Sequence, residues 1–196
     1  TQSRSSAASD VYKRQTHTER LPPRCHQRAR QRGGGLTVHI DRLDAELIRM
    51  LTESPQLPIL ECARRLGVAR GTATSRLARL HEGGVIEAIV PRVDPAGFGY
   101  GVVAFCLVEI DQKVGHDDVA TALADAVPEI VDMHTVTGAS DMQLRLVARD
   151  ATQLQEVLDR VALVPGVSRT ASSIAMRTHL SGRVLPLVEH VAGDAG

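Results

Sequence analysis

Tryptophan is absent from this 196-residue chain, and the other aromatics number four: Tyr12, Phe98, Tyr100 and Phe105. A core without rings must be built from Val, Leu, Ile and Ala, which the 43% apolar content supplies. Cysteine is nearly as scarce. Cys25, Cys62 and Cys106 lie far apart, without a CxxC pair. That excludes a disulfide frame or zinc knuckle and reads as reduced thiols in a cytoplasmic protein. No apolar run reaches the roughly 18 residues of a membrane span, and no apolar signal segment opens the sequence. The eight histidines are scattered without ligand spacing, so neither a metal nor a cofactor is expected. No nucleophile–base pairing or phosphate loop stands out, so no catalytic residue is assigned.

Net charge is absent too, but only on average: 23 basic residues face 23 acidic ones. Residues 1–100 hold 16 basic against 10 acidic side chains, and residues 101–196 hold 7 against 13. Residues 1–35 are rich in Arg, Ser, Gln and Gly, with 8 basic against 2 acidic residues, and read as a disordered basic tail. Within it, residues 5–15 resemble a translated sequencing adapter, so the tail is partly artefactual and is excluded from fold reasoning.

Order begins near Ile40. Asp41 is a candidate N-cap with Asp44 three residues on, and Leu43, Leu47, Ile48 and Leu51 form an amphipathic stripe to about Glu53. Ser54-Pro55-Gln56-Leu57-Pro58 breaks that helix. A short one follows with Ile59, Cys62, Ala63 and Leu66 inward. Gly67-Val68-Ala69 is a tight turn, and the next helix runs to the Gly83-Gly84 stop. Its inner stripe is Ala73, Leu77 and Leu80. Its outer side carries Gly71, Thr72, Thr74, Ser75 and Arg79, and no acid precedes Glu82. A helix entering a DNA major groove needs such slender, hydroxylated and cationic residues; a solvated face of a plain helical bundle is the other reading. Val85–Val93 is apolar and β-branched, long enough for a small hairpin or wing, and Asp94–Gly99 reads as a linker.

The second half changes rhythm. Val102–Ile110 is nearly continuous apolar sequence, which predicts a strand buried on both faces. His116–Val127 has Val119, Leu123, Ala126 and Val127 at helical spacing, ended by Pro128. Strands follow over Ile130–Val136 and Met142–Ala148. Asp150 with Gln153 caps a helix whose inner face is Leu154, Val157, Leu158 and Val161, and the last strand runs from Val167 to about Thr178. The fold class is therefore α+β: a helix-turn-helix domain with a wing, then a ferredoxin-like βαββαβ domain. The expected divisions are residues 1–35, 36–95, a linker at 96–100, a second domain at 101–185 and a tail at 186–196. Two helices cover one face of a four-stranded sheet, and a second copy of the domain is the economical cover for the other, which predicts a homodimer.

This order resembles the Lrp/AsnC family of transcription regulators over about residues 37–185. The opening signature is Ile40-Asp41-Arg42-Leu43-Asp44-Ala45-Glu46-Leu47-Ile48, and the segment from Gly67 through Arg76 to Ile86 is similar to the asparagine-responsive branch. The resemblance implies a winged helix-turn-helix and an AsnC-type sensor domain. It further implies a dimer, at times a tetramer or octamer, that binds pseudo-palindromic double-stranded DNA and senses an amino acid or similar small molecule. The DNA-binding candidates are Thr72, Thr74 and Ser75 toward base edges, Gly71 for close approach, and Arg70, Arg76 and Arg79 toward phosphates. Arg76, on the flank, reads equally as a brace for the domain; Arg64, Arg65 and Arg92 are weaker candidates. The sensor signature falls on Gly138-Ala139-Ser140-Asp141, with Thr137 and His134 beside it as effector-binding candidates. Ala139 and Ser140 depart from the family's acid or amide and aromatic, and a tight turn between strands is the competing reading. Ala69 replaces the family's usual Ser cap, at a cost of about 1 kcal/mol unless Thr72 or another hydroxyl substitutes. The alternative function is a tetrapyrrole decarboxylase of the same two-domain fold, which the acidic second half disfavours.

Overall fold

The computed structural model describes residues 38–111 and 113–194. The basic tail, its adapter-like stretch and Cys25 lie outside the described residues.

Helix α1, Arg42–Glu53, opens on a reciprocal capping box: Asp44 N–H donates to Asp41 Oδ1 at 2.9 Å, and Asp41 N–H donates to Asp44 Oδ2 at 3.1 Å. Leu47 and Leu51 join Cys62 and Leu80 in the core of the first domain. The expected stripe is corrected at one position, because Asp44 rather than Leu43 occupies the fully buried slot. Helix α2, Ile59–Leu66, ends on Gly67 at φ 66°, where Val68 N–H reaches back to the Ala63 carbonyl. That left-handed stop turns the chain into α3, Arg70–Glu82, which buries Ala73 and Leu80 and half-buries Leu77.

Of the small hairpin or wing expected over Val85–Val93, no residue is in a strand. Pro91 brings no N–H donor, an isolated two-stranded ribbon is marginal in water, and Ile89, Val90 and Val93 stay exposed. A single 3-10 turn at Pro95–Phe98 leads into the second domain.

That domain is a four-stranded antiparallel sheet in the order β2-β3-β1-β4. The strands are β1 Val102–Ile110, β2 Ile130–Thr135, β3 Met142–Ala148 and β4 Val167–Ile174. Helices α4, His116–Ala126, and α5, Ala151–Ala162, cover one face. Ala104, Cys106 and Val108 of β1 and Met142, Leu144 and Leu146 of β3 meet Val119, Leu123, Val157 and Val161 beneath them. Ala126, expected inward, is exposed at the last residue of α4.

Within the chain, β1 is buried on one face only. Phe105 and Leu107 point away from the helices and remain 38% and 39% exposed. Register places them opposite Arg145 and Gln143 on β3, and opposite Ser173 and Ala171 on β4. The uncovered face is thus apolar at its centre. Its margins carry two ion pairs, Arg145 with Asp132 and Arg169 with Glu109.

β4 stops four residues short of expectation because its partner runs out: Ala175 N–H bonds the Val103 carbonyl at the start of β1. The C-terminal residues expected as a tail instead form α6, Leu185–Asp194. Val188 and Ala192 of α6 pack on Ala45 of α1, with Ile40 and Ile48 beside them. Among the described residues no helix is long and apolar enough to cross a membrane, and no His/Cys/Asp/Glu cluster has metal-binding geometry. Cys62 and Cys106 are buried free thiols, and burial pushes the Cys106 thiol up to about 11.

Candidate nucleic-acid interface and sensor turn

The face of α3 turned away from the core carries the residues singled out for DNA contact, but they are not equally available. Thr72 is exposed at the start of the helix, and its hydroxyl does not serve as a cap; Ala69 leaves the N-terminus without a side-chain acceptor. Orphan N–H groups at that end favour an anion. Thr74 Oγ1 donates to the Arg70 carbonyl at 2.9 Å and Ser75 Oγ to the Thr72 carbonyl at 3.3 Å, so each keeps its lone pairs outward. Gly71 is exposed, and a Cβ built there would meet nothing within 4 Å. Its bareness therefore has no packing cause among the described residues, although Gly in a helix costs about 0.5–1 kcal/mol relative to Ala.

The arginines divide. Arg70 is exposed at the head of α3. Arg76 is a brace: its Nη1 donates to Asp41 Oδ2 at 2.7 Å and to Asp44 Oδ1 at 2.9 Å. Arg79 joins the same cluster, giving Nη2 to Asp44 Oδ2 at 2.5 Å and Nη1 to the His39 carbonyl at 2.9 Å. Asp44 is fully buried, and two guanidiniums saturate its carboxylate; unpaired, such a charge would be prohibitive. Burial alone would raise the Asp41 carboxyl, but the Asp44 backbone N–H and the Arg76 guanidinium outweigh it and hold it below its ordinary value.

The weaker candidates have intramolecular partners. Arg64 and Arg65 both bind Glu61 on their own helix, at 2.7 and 2.8 Å, which draws the Glu61 carboxyl down to about 2. Arg92 donates to the Ser181 carbonyl at 3.3 Å.

His39, Asp41, Thr72, Ser75, Arg76 and Arg79 line one shallow depression of about 490 Å³. A larger one, about 600 Å³, is lined by Ser54, Pro55, Gln56, Ile89, Val90 and Pro91 and offers no charged group. Size does not select the site here; chemistry does. Sequence reasoning missed His39 and Asp41 as lining residues of this depression and Asp44 as the buried acid beneath it. The signal was present, since Asp44 shares the stripe of Leu47 and Leu51, and an acid on an apolar stripe requires a cation.

The sensor turn is a different object. Thr137, Gly138 and Ala139 are exposed, Ser140 and Asp141 half-buried. Gly138 sits at φ 125° with open space around it, so the backbone conformation itself calls for glycine. Val136 N–H bonds the Asp141 carbonyl and Asp141 N–H the Val108 carbonyl, closing the turn. Asp141 Oδ2 accepts from Ile110 N–H at 2.8 Å, while Oδ1 stands 4.0 Å from His116 Nε2. His134 is exposed on β2 in register with Gln143, on the uncovered sheet face. One carboxylate oxygen of the turn is therefore committed to backbone and one faces outward.

Two family models match the chain. The model described as "Winged helix-turn-helix DNA-binding" covers residues 40–87, and the "Lrp/AsnC ligand binding domain" covers residues 103–185. The HTH-type transcriptional regulator FL11 of Pyrococcus horikoshii is 33% identical over 153 residues, 78% of this chain and 99% of that protein. Regulatory protein AsnC of Haemophilus influenzae is 25% identical over 149 residues, 76% of this chain and 99% of that one. Among solved structures, a feast or famine regulatory protein from M. tuberculosis complexed with L-methionine is similar at TM-score 0.64 and 27% identity. That likeness covers 73% of this chain and 96% of the other.

Proposed function

The chain belongs to the Lrp/AsnC family of transcriptional regulators, and from that premise we propose that it is a homodimer carrying two α3 helices to a pseudo-palindromic site. Arg70 meets a phosphate beside the uncapped end of α3. Gly71 lets the duplex approach, and Thr72, Thr74 and Ser75 address base edges. Arg76 and Arg79 act first as braces that fix α3 against α1, and of the two the more exposed Arg79 reaches the flanking backbone. The observation that carries this reading is the bare, hydroxylated face of α3 centred on Gly71, whose shape nothing among the described residues requires.

The uncovered sheet face supports the dimer. Phe105 and Leu107 at its centre, flanked by two charge pairs, have the mixed apolar and polar layout of an interface. The turn from Thr137 to Asp141, with His134 at its edge, takes an amino acid or similar small molecule, and the outward oxygen of Asp141 receives its cationic group. The protein has no catalytic step of its own in this reading. In the second domain Arg145, Arg160 and Arg169 pair separately with Asp132, Glu129 and Glu109, instead of converging on a cleft for a polycarboxylate.

A gel-shift assay on the protein's own upstream region tests the reading. The parent retards the duplex in a salt-dependent way, and Arg70→Ala with Thr72→Ala abolishes retardation without lowering the melting temperature. Equal retardation by parent and variant would move the interface off α3.

A further inference from the structure

On the reading that α3 faces DNA, one residue of the depression works against binding. Asp41 carries a carboxylate, 41% exposed, at the place where Thr72 and Ser75 meet the flank of the helix. It takes a hydrogen bond from Arg76 Nη1 at 2.7 Å, although Arg76 is already anchored by the fully buried Asp44 at 2.9 Å. The brace needs Asp44. Asp41 adds a second counter-anion at the solvent edge.

We propose that Asp41 is a specificity-determining residue: an internal stand-in for a DNA phosphate that keeps Arg76 from contributing to sequence-independent affinity. Non-specific binding comes from cations that replace condensed counterions on the DNA backbone, each adding about 0.9 to the salt slope of log K. An arginine already neutralised by a carboxylate has little to add. The carboxylate also repels a phosphate entering the depression. Contacts from Thr72 and Ser75 to base edges are uncharged and keep their strength. Asp41 therefore lowers affinity for random duplex more than affinity for the cognate site, and widens the ratio between them.

Asp41 also caps α1, accepting from Asp44 N–H, so the test must keep the cap and remove only the charge. Asn and Ser are N-caps as good as Asp. The full chain and its Asp41→Asn and Asp41→Ser variants are titrated against a random-sequence duplex and against the tightest duplex selected from a random pool, over a salt series. The expected result is that both variants hold random duplex several-fold tighter at low salt, with a slope steeper by about 0.9. The selected duplex gains less, so the specificity ratio falls. If both variants melt like the parent and bind random duplex with unchanged slope and affinity, the proposal is wrong. Weaker binding by both would make Asp41 a positioning residue for Arg76 and overturn it equally. If the parent retards no duplex at low salt, the reading of α3 fails and takes this one with it.

Discussion

Helix α3 and the turn from Thr137 to Asp141 are both on the surface, yet they are held in opposite ways. α3 is tied down by ion pairs that bridge 32 and 35 residues of sequence and end on a buried acid in α1. The sensor turn is shaped by its own backbone, through Gly138 and the bonds that close Val136 and Val108 onto Asp141. The first arrangement fixes side chains and tolerates little change. The second fixes the backbone and, Asp141 apart, leaves side chains free to vary, which leaves room for Ala139 and Ser140 in the turn.

The contrast is broken most readily by stripping Asp44 of its cations. Arg76→Ala combined with Arg79→Ala leaves a fully buried carboxylate unpaired, and urea unfolding should show a loss of about 3–5 kcal/mol. Loss of DNA retardation in that double variant would reflect an unfolded domain as much as a missing contact, which is why Arg70 and Thr72 are the better probes. At the sensor turn the corresponding change is smaller. Asp141→Ala orphans the N–H of buried Ile110 and should cost about 1–2 kcal/mol, while Thr137→Ala, exposed in the same turn, stays within about 0.5 kcal/mol. A larger loss at Thr137 would mean that side chains other than Asp141 also hold the turn.

Gly71→Ala sharpens the comparison in the other direction. The position is open, so the substitution should stabilise the fold by about 0.5–1 kcal/mol while weakening binding to the selected duplex. Stabilisation with undiminished binding would remove Gly71 from the interface. The smallest effect is expected in acid. Asp41 and Glu61 have carboxyls held below their ordinary values of 3.8 and 4.5. Depressed carboxyls add stability that is complete above the unfolded-state values and disappears as pH falls through the folded-state ones. Helical circular dichroism should therefore decline between pH 4.5 and about 2, the folded value for Glu61. Glu61→Gln should flatten the lower part of that decline.

Local chemistry was legible in the sequence. The capping box of Asp41 and Asp44, the left-handed stop at Gly67, the Asp150–Gln153 cap and the alternation of Met142, Leu144 and Leu146 each depend on neighbours within a few residues. Long-range pairing was not. Spacing shows Asp44 as a cap, but its burial beneath Arg76 and Arg79 depends on how α1 and α3 cross. No strand forms over Val85–Val93, where a hairpin or wing is expected, because β-branched composition without a partner strand leaves a ladder nothing to pair with. Helix α6 was missed although Pro186 in its first turn is a start signal, since Leu185 to Val191 looks like an apolar tail until Ala45 offers it a surface.

Hydroxyl-radical footprinting of the selected duplex tests most directly the claim that a dimer presents two α3 helices to one face of DNA. Two protected patches are expected about 10–10.5 base pairs apart, or a multiple of that, both lost with Arg70→Ala and Thr72→Ala. A single patch, or two that survive those substitutions, would contradict it.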